Sequence, residues 1–177
     1  MKPVLALLAT FSLSLAAAHQ PFWNPGSSTP SSPYVIEEVE VSKAIFGELE
    51  TGSAHFILSV PDSFNLDVGV FKGGNCEEIF SPELWIFKEG KVTATPFESL
   101  ANFSGRRIEG EWSAYRGHGL TGFKGAAYQE RLEAGTYSIV IHAPEGKGVY
   151  LLSLGGLERW GGNREGRAAI PRFNSCT

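Results

Sequence analysis

Apolar residues recur at every second position in short runs, and each run ends in glycine, proline or a small polar residue. Ala54, Phe56, Leu58 and Val60 alternate with His55, Ile57 and Ser59; Phe64, Leu66, Val68 and Val70 alternate with Asn65, Asp67 and Gly69. Successive side chains of an extended chain point to opposite faces, so a period of two predicts strands with one face on a core. Pro61, Asp62 and Ser63 are turn formers, and the two runs read as a hairpin. Glu83–Phe87 and Lys91–Thr95 around Gly90 read as a second. Tyr137, Ile139 and Ile141, continued through Pro144–Gly148 into Val149–Leu154, read as a third. Residues 126–132 and 34–49 supply further strands, and roughly seven to nine short strands at turn spacing predict an all-β sandwich. Glycine, 21 in the chain, is concentrated between the runs, and no segment of helical period is long enough to compete. The expectation is a single antiparallel β-sandwich domain, jelly-roll-like, over residues 34–160. Residues 99–125 fit either a long irregular loop or a strand pair.

The ends differ in character. Lys2, an apolar run from Val4 to Leu15 and the small residues Ala16, Ala17 and Ala18 have the layout of a secretory signal peptide, with cleavage expected after Ala18. His19 then becomes the first residue of an exported protein, extracellular, or periplasmic in a Gram-negative source. No later segment offers about 18 uninterrupted apolar residues, so no transmembrane segment is expected. Asn24–Pro33 is rich in proline and serine and excludes helix or a central strand, so residues 19–33 are expected as an extended arm. Arg159, Arg164, Arg167 and Arg172 are interrupted by glycines and Glu165, which reads as a solvated tail over residues 161–177.

A balance of 15 basic against 19 acidic residues, net −4, argues against nucleic acid as a partner, because phosphate neutralisation needs clustered Lys and Arg. The two cysteines, Cys76 and Cys176, are expected to form one disulfide in an oxidising compartment. There is no C-x-x-C or Cys/His cluster of zinc spacing.

Hydrolase and nucleotide-binding signatures are also missing: the chain contains no G-x-S-x-G, H-E-x-x-H or P-loop. The acid pairs Glu37–Glu38 and Glu77–Glu78 point to opposite faces of a strand, whereas glycosidase carboxylates must converge across a cleft. Among the aromatic residues, Trp85 inside ELWIF reads as core. Trp112 and Trp160, with polar and glycine neighbours, and Tyr115 read as a binding surface. Asn102-Phe-Ser104 is an N-glycosylation sequon, meaningful in a eukaryotic source.

Ser42–Phe71 and Glu133–Gly156 together resemble the pre-peptidase C-terminal type of β-sandwich, whose closing hairpin reads G-T-Y-x-apolar-x-apolar followed by G-x-Y-x-L. More narrowly, the chain is similar to a family of short exported proteins of unassigned activity that begin H-x-P-F and continue S-x-A-x-Y/F-G-x-L. His19, Pro21, Phe22, Ser42, Ala44, Phe46, Gly47 and Leu49 match that opening. The family's central F-x-E-P-F-like and Gly-Pro-Gly stretches have no counterpart here. The resemblance implies a fold and an exported location, and pre-peptidase-type domains act as accessory or binding modules. The reading is therefore a non-catalytic module, without cofactor, for an extracellular ligand or surface component.

The alternative is a mononuclear copper protein. A first-residue histidine offers an α-amine and an imidazole, and a second imidazole completes an arrangement resembling the copper brace of lytic polysaccharide monooxygenases. Copper(II) favours such tetragonal nitrogen sites. His55, His118 and His142 are the possible second ligands. His118, in the glycine-rich stretch beside Tyr115, is the one selected, because His55 and His142 fall on the outward alternation of their strands.

Overall fold

The computed structural model describes residues 19–26, 28–88 and 105–176. The proposed signal peptide, the Lys91–Thr95 strand and Asn102 lie outside these residues. Among the described residues are eleven strands and one helix: β1 (Gln20–Trp23), β2 (Tyr34–Ile36), β3 (Lys43–Leu49), β4 (Gly52–Val60), β5 (Phe64–Gly73), β6 (Glu83–Lys88), β7 (Arg106–Ile108), β8 (Ser113–Gly117), β9 (Leu120–Leu132), β10 (Gly135–Ala143), β11 (Gly148–Leu154) and α1 (Arg164–Ser175).

The strands form a β-sandwich of two sheets. One has six strands in the order β1-β3-β11-β5-β9-β8, the other five in the order β2-β4-β10-β6-β7. Pairing is antiparallel except for β1 with β3 and β2 with β4. The alternation selects the inner faces as expected. Ala54, Phe56, Leu58 and Val60 of β4 meet Leu66, Val68 and Val70 of β5 in one buried cluster, together with Ile139, Ile141, Tyr150 and Leu152. Side chains from the two sheets interdigitate there and drive folding by removing apolar area from water.

Two expected hairpins are not hairpins. β4 pairs with β2 and β10, whereas β5 pairs with β9 and β11. Pro61–Ser63 therefore carries the chain from one sheet to the other. The same holds at Pro144–Lys147: β10 belongs to the five-stranded sheet and β11 to the six-stranded one. A period of two directs one face of each strand to the core whether the next strand lies beside it or opposite it, so periodicity does not separate the two arrangements. Residues 105–125 resolve into β7 and the β8–β9 hairpin, the strand-pair alternative.

Both ends of the expected domain are more structured than their composition implies. The arm begins as β1, hydrogen-bonded in parallel to β3, and the buried Asn24 donates from Nδ2 to Ser28 Oγ at 2.8 Å and Tyr150 Oη at 2.9 Å. The expected tail contains α1. Asn163 caps its N-terminus by accepting from Gly166 N–H at 2.7 Å, Glu165 lies in the first turn, and Cys176 ends it at φ 59°, following ordinary capping chemistry. Its buried face is Gly166, Ala169 and Phe173. A Cβ on Gly166 would run into the backbone of Pro21 and Phe22, so glycine there lets helix backbone sit directly on β1. Two of the four arginines near the C-terminus form ion pairs: Arg159 with Glu38 and Arg172 with Glu48, each at 3.0 Å, and Arg172 also stacks 4.4 Å from the Trp23 ring centroid.

Candidate functional site

The outer face of the six-stranded sheet carries a second apolar cluster, comprising Ala44, Phe46, Phe71, Leu120, Val149 and Leu151 with Ala169 and Phe173 of α1. These strand residues alternate with the inter-sheet core residues, which is why β3 and β11 are apolar on both faces. The helix covers only part of this surface. The remainder is a largely apolar pocket of about 70 Å³, walled by Ala44, Phe46, Phe71 and Leu151 and rimmed by His19, Tyr115 and His118.

His19 precedes β1 and His118 joins β8 to β9, strands at opposite edges of the sheet, yet their ring centroids are 6.3 Å apart with the planes at 80°. The pairing of β5 with β9 is irregular. Between the pairs Gly69–Ala127 and Phe71–Lys124, β9 contains one residue more than β5, and a bulge of this kind bends and twists the strand that carries it. The β8–β9 hairpin leans over the face, and Tyr115 packs edge-on against Phe71 with centroids 5.1 Å apart.

The hairpin tip is Gly117-His118-Gly119-Leu120, with Gly117 paired to Leu120. His118 has φ 51° and Gly119 φ 77°, the type I′ pattern that favours Asn-Gly. A non-glycine residue at positive φ is uncommon, and histidine is, with asparagine and aspartate, among those that tolerate it best.

His19 Nδ1 is hydrogen-bonded to the hydroxyl of Ser42. Burial, and secondarily the nearby His118, lower the His19 pKa below its usual range, against the opposing pull of Glu158 and Asp67. Ser42 is only 1% exposed, so its hydroxyl does not face a substrate and the Ser42–His19 pair is not a nucleophile–base pair in the sense hydrolysis requires. Among the described residues no group of three or more His, Cys, Asp or Glu is arranged to hold a metal.

The aromatic residues do not form one surface. Trp160, 77% exposed, belongs to the β1 edge, where its carbonyl accepts from Gln20 Nε2 at 3.2 Å. Trp112 precedes β8 at the other edge and is half-buried against the inter-sheet core. Its ring fills the space a Cβ on Gly125 would need, and Lys72 Nζ lies 5.2 Å from its centroid. Trp112 also forms one wall of an open, polar groove with Glu83, Arg107 and Glu145. Trp85, expected in the core, lies half-buried on the outer face of the five-stranded sheet, stacked on Phe87 at 6.4 Å. Leu84 and Ile86 are the residues of β6 that reach the core.

His55 and His142 lie on that same outer face but are not freely exposed. His142 Nδ1 is within hydrogen-bonding distance of Ser53 Oγ at 3.0 Å and Gly52 O at 3.1 Å. His55 is 5% exposed, with the arm bonded along β4 where His55 N–H donates to Ser28 Oγ at 3.2 Å. Its Nδ1 has no hydrogen-bond partner among the described residues. His55 faces outward as its alternation implies, and the arm running along β4 buries it there.

Cys76 and Cys176 form a disulfide with Cα atoms 5.0 Å apart, tying the β5–β6 connection to the end of α1. No helix among the described residues is long and apolar enough to cross a membrane.

A comparison with solved structures finds similarity to the pre-peptidase C-terminal domain of a collagenase from Bacillus anthracis. The identity is 15% and the TM-score 0.43, over 69% of this chain and 93% of that domain. No family model matches the chain, and neither does any curated protein.

Ser42 was not singled out from sequence as a site residue, although it stands in the S-x-A opening. The wall residues Phe71, Leu151 and Ile170 carry no sequence signal that distinguishes them from core. The detectable clue to the hairpin tip is the tetrapeptide G-H-G-L, a two-residue turn with histidine where asparagine is usual.

Proposed function

We propose that the chain is an exported, non-catalytic β-sandwich module that binds an extracellular ligand or cell-surface component, released from its signal peptide after Ala18. The observation that carries this reading is the half-covered outer face of the six-stranded sheet: an apolar pocket rimmed by His19, Tyr115 and His118, with Trp160 exposed at the same edge as His19. Apolar walls with a few polar groups at the rim are the usual composition of a ligand site, and a pocket of about 70 Å³ is sized for one side chain or a small group of a larger partner. An exposed tryptophan beside one supplies contact area at low entropic cost. Trp112, which forms a structural wall at the opposite edge, is a weaker contributor.

The test is binding of fluorescently labelled residues 19–177 to intact cells and cell-wall fractions of the source organism. Saturable binding is expected, weakened about tenfold or more by Trp160→Ala with Tyr115→Ala. Absence of saturable binding, or binding indifferent to both substitutions, would sink the reading.

The mononuclear copper protein remains the second reading, favoured by one observation: the two histidines selected for it, His19 and His118, are neighbours. In a copper brace the first histidine chelates through its α-amine and Nδ1 together. Here Nδ1 is held by Ser42, so the chelate requires that bond to break.

A further inference from the structure

We propose that His19 and His118 bind one divalent transition-metal ion through ring nitrogens alone, with the α-amine taking no part. The site would take ions of the class that prefers imidazole, such as copper(II), zinc(II) and nickel(II). This deepens the metal reading above and changes its ligand set, so the two can fail separately.

Three observations converge on it. The first is distance. Metal–imidazole bonds of about 2.0–2.1 Å, lengthened by roughly 1 Å from nitrogen to ring centre, put two rings on one ion about 5–6 Å apart, centre to centre. The observed centroid separation of 6.3 Å is slightly longer, so coordination requires the rings to close by up to about 1 Å. The His118 side chain, which is exposed, is the one with room to move.

The second is the contact with Ser42. A ligating histidine has its other nitrogen fixed by a hydrogen bond, which sets the tautomer and aims the ring. Nδ1 is engaged by Ser42 Oγ, and in the tautomer in which Nδ1–H is the donor the lone pair of His19 is on Nε2. That nitrogen cannot close a chelate with the residue's own amine, but it is available to an ion shared with His118.

The third is the residue choice at the hairpin tip. At φ 51°, followed by Gly119 at φ 77°, asparagine is the usual residue and histidine is one of the few others that tolerate the conformation, so the turn accommodates an imidazole at the rim of the pocket. Glu158 and Asp67 are the charged groups that act on His19 in the direction favourable to a cation. With two protein ligands, the remaining coordination positions are open to water or to a donor on a bound partner.

The experiment is calorimetric titration of copper(II) chloride and of zinc(II) chloride into three proteins: residues 19–177, the same chain with one extra residue before His19, and His118→Asn. Asparagine suits the turn, so the last variant should fold with an unchanged or higher Tm. One equivalent of ion is expected to bind the first two proteins with affinities within about threefold of each other, and His118→Asn is expected to lose about tenfold or more. Loss of binding on extension would assign the site to the amine chelate and overturn the proposal. Equal binding by His118→Asn, or no stoichiometric binding by any form, would also overturn it.

Discussion

Replacing Cys76 and Cys176 together by serine is expected to lower the free energy of unfolding by about 2–5 kcal/mol, measured by urea denaturation under non-reducing conditions. The bridge closes a loop of 100 residues, and constraining the unfolded chain over that length is worth about 4–5 kcal/mol in the chain-entropy description. The folded state holds the bridge in place by independent means. Phe173 is fully buried and meets Phe46 edge-on at 5.7 Å, its ring lying where a Cβ on Gly122 would fall. Val149 N–H donates to Cys176 Sγ at 3.2 Å. The helix should therefore stay docked in the double serine variant, with the loss appearing as a lower midpoint. A change below about 1 kcal/mol would show that the bridge does not constrain the unfolded chain as described.

Acid is expected to destabilise the fold through His55. Burial, reinforced by the neighbouring His142, lowers its pKa from 6.5 to about 4. The unfolded chain takes up a proton near pH 6.5 while the folded chain does not until about pH 4. Stability therefore falls as pH is lowered through this window, by on the order of 3 kcal/mol from this residue, and the contribution flattens below it. His142 is lowered too, chiefly by burial, so the slope of one protein mixes several groups. Comparing the parent with His55→Leu isolates the residue: the parent should lose more stability between pH 7 and pH 4.5. Parallel pH profiles would mean that His55 is protonated in the folded chain and not buried as found.

The strands were legible because alternation is a direct consequence of backbone geometry. Ala54 to Val60 and Leu66 to Val70 face the core in the register their spacing implies. Sheet membership was not legible, since a strand opposite and a strand beside satisfy the same pattern, and Pro61–Ser63 serves a crossover as well as a hairpin. The helix was obscured by its composition. Its buried stripe is only Gly166, Ala169 and Phe173, and Pro171 stands inside it. Much of what holds α1 is close backbone approach on glycine, for which hydrophobic periodicity offers no signal.

At the site, sequence reasoning paired His19 with His118 as possible metal ligands and put Tyr115 forward separately as a binding residue, and all three line one pocket. Their meeting is a tertiary feature, since His19 and His118 lie at strands on opposite edges of the six-stranded sheet. Trp112 and Trp160 looked alike in sequence because glycine and polar neighbours mark exposed loops and tight packing equally. Gly125 serves packing: it clears room for the Trp112 ring.

The meeting of the two sheet edges underlies both the binding-module reading and the metal site. The most direct measurement is a carbon-edited NOE spectrum of residues 19–177 labelled with carbon-13 histidine, with His118→Asn used to assign the His118 ring. Cross-peaks are expected between the ring protons of His19 and His118, whose centroids are 6.3 Å apart. A His118 ring that contacts only its own β8–β9 hairpin would contradict a shared site at these two edges.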